Sequence, residues 1–290
     1  MCRESFRRTI ILDITLFSSL DGIDSRGSAI KFNMIEFIHV TRSYSRKVAV
    51  DDLTLTVPPG EIFALLGANG AGKTTTIKML TGLLRPNSGT IRVCGRDLAV
   101  DLRQALRCLG YVPDEPFLYD KLSGREFLDF SGRMRGLSRL AVEDCIAEQT
   151  RHFEMEDYLD DLIETYSHGM KQRLVFASAL LHHPPIVIID EPMVGLDPRS
   201  MRMVKDLLRA QAAAGAIIFM STHILAMAEE IADRIGIIES GRLQFLGSVD
   251  ELRKKLASPQ ISLESLYLQY TDAMNETPAP TAFNQNDPAE

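Results

Sequence analysis

The stretch EIFALLGANGAGKTTTIKMLTGLL, Glu61 to Leu84, narrows the fold more than any other part of this chain. Its apolar run Ile62 to Leu66 has the length of one buried strand, and Thr75 to Leu84 reads as a helix with Ile77, Leu80 and Leu84 on one face. Between them lies Gly67-Ala68-Asn69-Gly70-Ala71-Gly72-Lys73-Thr74. Strand, glycine-rich turn and helix in that order is the context a phosphate-binding loop requires. The glycines let backbone N–H groups converge on phosphate oxygens, where a Cβ would block the approach. A helix starting at Lys73 adds its positive end. Lys73 then comes within reach of the β and γ phosphates, and the Thr74 hydroxyl offers one Mg²⁺ position. The stretch predicts binding of a nucleoside triphosphate.

The net charge of −7 argues against a nucleic-acid binder driven by phosphate neutralisation. Asp272, Glu276, Asp287 and Glu290 meet no Lys or Arg after Lys255, so residues 271–290, with three prolines, read as a disordered acidic tail. Cys2, Cys94, Cys108 and Cys145 lie far apart with no CxxC pair, which suggests neither a zinc site nor a disulfide framework and fits a reducing cytoplasm. No apolar run approaches the roughly 20 residues of a membrane helix, so any membrane crossing falls to another polypeptide.

Residues 1–33 differ from the rest. Arg3, Arg7 and Arg8 precede an apolar stretch interrupted by Asp13, and no clean small-residue cleavage site follows. The preferred reading is an extension, disordered or upstream of a native start at Met34. Ile35 to Val40 and Leu53 to Val57 alternate as strands. Tyr44 between them is either an adenine-stacking ring or a half-buried sheet tyrosine. Asp101 to Cys108 predicts a short helix. Ser123 to Tyr158 reads as an all-helical insert opened by a capping box at Ser123 and Glu126, its residues Phe127, Leu128, Phe130 and Met134 forming its own core. Ser167 is placed as the N-cap of the next helix, and Gly169 permits close approach to its first turn. His168 alone reads as a solvated histidine.

Ile186 to Ile189 reads as a strand buried on both faces, with Asp190 and Glu191 at its end. Two carboxylates there are costly without a cation or a catalytic role: Asp190 suits Mg²⁺ and Glu191 suits the attacking water, unless the two are a strand-ending surface pair. Asp197-Pro198 starts a helix. Ala216 to Met220 is a further buried strand leading to His223, where open α/β sheets place ligands. Arg234 to Ile238 and Leu243 to Leu246 form a last strand pair, and Val249 to Leu256 and Leu263 to Tyr270 read as helices.

From about Met34 to Tyr270 the chain resembles the ATP-binding subunit of an ABC transporter. GANGAGKT looks like the Walker A loop, YSHGMKQR like the signature, IVIIDEP like Walker B, Gly195-Leu196-Asp197 like the D-loop, and His223 like the switch histidine. The resemblance implies an α/β P-loop NTPase with a mostly parallel sheet flanked by helices, an antiparallel β subdomain and a helical subdomain at about 115–175. It implies ATP held by Tyr44, Gly67, Asn69, Gly70, Ala71, Gly72, Lys73, Thr74 and Thr75, and by Ser167 and Gly169 presented from an opposite subunit. Glu191, His223 and Lys73 are implied for catalysis, and Thr74, Asp190 and Asp114 for Mg²⁺. In the signature, His168 and Met170 replace the usual second glycine and glutamine, and Asp114 stands where a glutamine is usual. That acid and the phrase EPFLYDKLSGREFL are similar to a bacterial exporter branch of the Ecs type.

The partners so implied are an integral-membrane subunit docked near Asp114 to Tyr119 and a second copy of this chain or a related ATPase, on the cytoplasmic face of the membrane. Two other classes stand beside this one. A soluble ABC ATPase acting on DNA or ribosomes usually carries long coiled coils or two cassettes, and neither is present. Glu191 and His223 speak against a regulatory subunit that binds ATP and barely turns it over, while the substitutions at Asp114 and His168 leave room for one.

Overall fold

The structure, a computed structural model, describes residues 34–45, 47–115, 117–191, 197–256 and 262–275. Two sheets organise it. Strands β1 (Ile35–Tyr44), β2 (Lys47–Val57), β4 (Ser88–Val93) and β5 (Arg96–Asp97) form an antiparallel sheet in the order β2-β1-β4-β5. The other sheet holds β3 (Ile62–Leu66), β6 (Leu109–Val112), β7 (Ile186–Asp190), β8 (Ile217–Thr222), β9 (Arg234–Glu239) and β10 (Arg242–Gly247). Its order is β10-β9-β3-β8-β7-β6, parallel throughout except where β10 runs against β9.

The continuous apolar runs of β3, β7 and β8 make sense here, because all three are covered on both faces. Alternate residues of β3 feed different cores. Ile62, Ala64 and Leu66 join the helices, while Phe63 and Leu65 face the antiparallel sheet. The Phe63 ring packs on Phe219 at 5.2 Å between centroids, and Phe219 reaches Phe37 of the antiparallel sheet at 6.3 Å. Those tilted rings lock the two sheets together.

Helix α1 (Lys73–Leu80) follows β3, and α2 (Leu102–Arg107) leads into β6. Between β6 and β7 the described residues hold only helices: α3 (Gly124–Met134), α4 (Arg139–His152), a 3₁₀ turn at Ile163–Thr165 and α5 (His168–Leu180). The capping box is formed, with Ser123 Oγ accepting from the Glu126 amide and the Glu126 carboxylate accepting from the Ser123 amide. Helix α6 (Pro198–Ala213) is capped by Asp197, and α7 (Leu225–Ile231), α8 (Val249–Lys255) and α9 (Leu263–Asn275) complete the chain. The expected class is therefore present: a mostly parallel α/β core, an antiparallel sheet and an all-helical insert.

Several expectations change. Helix α1 ends at Leu80 rather than Leu84, because the Thr81 hydroxyl turns back to the Ile77 carbonyl at 2.9 Å and Gly82 takes φ +72. Of the four residues expected to form the insert's core, Phe127 and Leu128 are buried, while Phe130 and Met134 are exposed. Helix α9 runs to Asn275, so the tail expected from Thr271 begins helical. The extension 1–33, Gly195 and Leu196 of the D-loop, and residues 276–290 lie outside the described residues.

Candidate nucleotide site

Strand order gathers the site. Neighbours β3, β8, β7 and β6 are parallel, so their C-terminal ends emerge side by side. From β3 comes the loop 67–72, from β8 His223, from β7 Asp190 and Glu191, and from β6 Asp114. These ends meet at an open cleft of about 360 Å³ lined by Asn69, Gly70, Gly72, Lys73, Thr74, Thr75, Asp114, Glu191 and His223, while Asp190 is buried and outside that lining.

Gly72 shows why the loop is glycine-rich. Its φ is +118, and a Cβ there would sit 2.5 Å from the Ala49 carbonyl. The Lys73 ammonium curls back onto the loop, donating to the Gly67 carbonyl at 2.7 Å and the Ala68 carbonyl at 3.2 Å. Burial pulls its pKa down, and Glu191 and Asp190 work against that shift.

Asp190 is buried and accepts a hydrogen bond from the Ser221 hydroxyl on the neighbouring strand. Burial, first, holds its carboxyl above the ordinary range, with Asp114 and Glu191 adding to the shift. Asp114 is raised by burial, then by Glu191 and Glu115, with His223 opposing. Glu191 adopts φ +52, a left-handed conformation costing a non-glycine residue on the order of 1–3 kcal/mol, and its Oε2 lies 2.8 Å from His223 Nδ1. Clustered carboxyls of raised pKa, such as Asp190 and Asp114, suit a hard cation. Among the described residues no three His, Cys, Asp or Glu side chains close into a metal cage.

The remaining candidates sit elsewhere. Gly67 and Ala71 are buried members of the loop and do not line the cleft. Tyr44 is exposed at the end of β1, with the Arg42 guanidinium 5.0 Å from its ring centre, and does not line the cleft. Ser167 is exposed and caps α5 through the Met170 amide, and Gly169 follows it; neither lines the cleft.

Four contributors have little or no signature in the sequence. The Gly241 amide donates to the Ala71 carbonyl at 2.9 Å, so the β9–β10 turn supports the loop from behind. The hydroxyl of Tyr267 on α9 is pushed up by burial and then by Glu239, with the Ala68 backbone opposing. Tyr111 is pushed up to about 12 by burial, then by Asp190 and Asp114. Ser221 is the one with a signal, a polar residue closing an apolar strand.

A family model described as ABC transporter matches residues 50–194. Over 80% of its length the chain is 34% identical to the ABC-type transporter ATP-binding protein EcsA of Bacillus subtilis (strain 168), covering 94% of that protein. This chain belongs to the ABC transporter family. The ABC ATPase is also 40% identical, over 72% of its length, to Nod factor export ATP-binding protein I of Paraburkholderia xenovorans (strain LB400), covering 68% of that protein. It spans 26% of a longer Arabidopsis thaliana relative, ABC transporter A family member 8, at 38% identity. A solved structure described as the ATP binding subunit of an ABC transporter superposes with TM-score 0.78 at 36% identity, over 82% of this chain and 100% of that one. The protein is an ATP-binding, ATP-hydrolysing ABC subunit.

Proposed function

We propose that this ABC ATPase drives an exporter from the cytoplasmic face of the membrane, as one of two ATPase subunits clamped on a separate integral-membrane subunit. The observation that carries the reading is the position of Ser167 and Gly169: exposed or half-exposed at the start of α5, outside the lining of the chain's own cleft. A Cβ added at Gly169 would meet nothing within 4 Å, so this chain's own packing makes no demand for glycine there. A second subunit's phosphate would. Export is supported by the relative named for Nod factor export. No helix among the described residues is long and apolar enough to cross a membrane, which accords with a separate spanning subunit.

In the assembled site Lys73 leaves the Gly67 and Ala68 carbonyls and turns its charge on the β and γ phosphates, while the amides of the loop 69–75 surround them. Thr74 and Asp190 would hold Mg²⁺, with Asp114 beside them, and a bound ion would supply charge neutralisation for the phosphoryl group. Glu191 orients the attacking water and takes its proton. His223 holds Glu191 in place and faces the γ-phosphate. Tyr44 stacks on the adenine once nucleotide is present. Residues 34–270 are read as the ATPase domain and about 115–175 as its helical subdomain.

The test is purification of the native protein from membranes in mild detergent, followed by mass determination with and without ATP. A complex with an integral-membrane polypeptide and two ATPase subunits is expected. Recovery as a lone ATPase in both conditions overturns the reading.

A further inference from the structure

The end of β1 is fastened by the turn before β4. Its pairing with β2 shifts register at Arg42 and again at Ser43, a break that re-aims side chains. Asn87 bridges that break: its amide donates to the Thr41 carbonyl at 2.8 Å, and its side-chain oxygen accepts from the Ser43 amide at 2.7 Å. Arg42, between those two residues, donates through Nη1 to the Arg85 carbonyl at 3.0 Å. The guanidinium so anchored lies over the Tyr44 ring, 5.0 Å from its centre. Its Nε is buried with no acceptor among the described residues, so the fork is committed to that carbonyl and that ring. The same corner abuts the phosphate loop. Arg42 stands opposite Val50 on β2, and a Cβ at Gly72 would lie 2.5 Å from the Ala49 carbonyl and 3.5 Å from the Val50 side chain.

We infer that Arg42 is a positioning residue for the nucleotide base: its guanidinium braces one face of the Tyr44 ring and leaves the opposite face to stack on a purine. The inference rests on the stacking role proposed for Tyr44. That ring is 45% exposed at the end of its strand. Unbraced, it would move among rotamers, and an arriving base would bear the cost of stilling it. A cation over the ring face attracts the ring electrostatically. Because Nη1 is tied to the Arg85 carbonyl, the cation stays where it is and the ring is held to it. The stacking surface is therefore set before nucleotide enters, beside the loop that takes the phosphates. The ligand class follows from the contact. Stacking reads the flat face that every base has, not its hydrogen-bonding edge. Arg42 thus favours a nucleoside triphosphate over bare triphosphate without choosing among purines.

Dissociation constants for ATP and for inorganic triphosphate, each with Mg²⁺, are measured on the full chain by calorimetric titration. Tyr44→Ala sets the scale, with ATP weakened at least about fivefold and triphosphate unmoved. Arg42→Met is expected to weaken ATP about two- to fivefold, again with triphosphate unmoved, and to add nothing in the Tyr44→Ala background. Arg42→Lys keeps the cation and should recover part of the loss. Arg42→Gln, also uncharged, replaces Arg42→Met if that variant does not fold. The inference is overturned if the uncharged variant binds ATP as tightly as wild type, or more tightly, while Tyr44→Ala is weakened. It is overturned equally if ATP and triphosphate weaken together, the mark of an arginine that only supports the fold. No loss in Tyr44→Ala overturns the stacking role itself, and the inference with it.

Discussion

The Glu191 carboxylate and the His223 ring meet at 2.8 Å, Oε2 to Nδ1, across the ends of two adjacent parallel strands. The His223 amide approaches the same oxygen at 3.4 Å, so the loop after β8 positions Glu191 twice. Replacing Glu191 by Gln keeps the shape and removes the base. ATP turnover is expected to fall about 10²–10⁴-fold, while ATP binding persists and the ATP-loaded protein accumulates as a dimer in light scattering. Unchanged hydrolysis would remove Glu191 from the role.

Gly169→Ala separates fold from assembly. With open space around the position and no positive φ, alanine costs this chain nothing and gains about 1 kcal/mol of helix propensity. The thermal midpoint is expected to stay level or rise, while ATPase activity and ATP-dependent pairing fall together. Full activity in the variant would mean that no partner phosphate approaches α5.

Asp190 links stability to pH. Because burial above all raises its folded pKa over the unfolded value, its contribution to stability is complete below the unfolded pKa and is lost as pH rises through the folded one. At neutral pH the ionised group is a cost that a cation relieves. Asp190→Asn is therefore expected to raise the nucleotide-free melting temperature at pH 7 by roughly 2–4 °C, the shift that about 1 kcal/mol gives a domain of this size. The gain should vanish in acid, and the variant should lose the protection that Mg²⁺-ATP gives the wild type. Calorimetry across pH reads both.

Asp114→Gln exchanges a carboxylate for the weaker amide ligand beside Glu191. A Mg²⁺ titration of ATPase activity should show half-saturation moved up about tenfold, the scale of losing one supporting group at a metal site. A superimposable titration would take Asp114 out of the ion's environment.

Local patterns made most of the architecture readable. The loop 67–74, the caps at Ser123, Ser167 and Asp197, and the β-branched run of β7 each carry their own chemistry within a few residues. What stayed hidden depends on distant pairing. Nothing near Gly241 marks it as a support of a loop far earlier in the chain, because a glycine in a hairpin turn is ordinary in itself. Phe130 and Met134 misled for a related reason: apolar residues at helical spacing predict burial, but only the neighbours of α3 decide which of its faces is covered.

Both flanks of β3 are filled by strands made far later, residues 217–222 and 234–239. While the ribosome is still short of them, the strand that ends in the ATP loop has two bare edges and no place in a sheet. A nascent chain that stops before β8 therefore carries the whole glycine-rich motif and none of its grip, with sticky backbone facing solvent. The grip of the ATP loop therefore waits on strands that are made more than half the chain later.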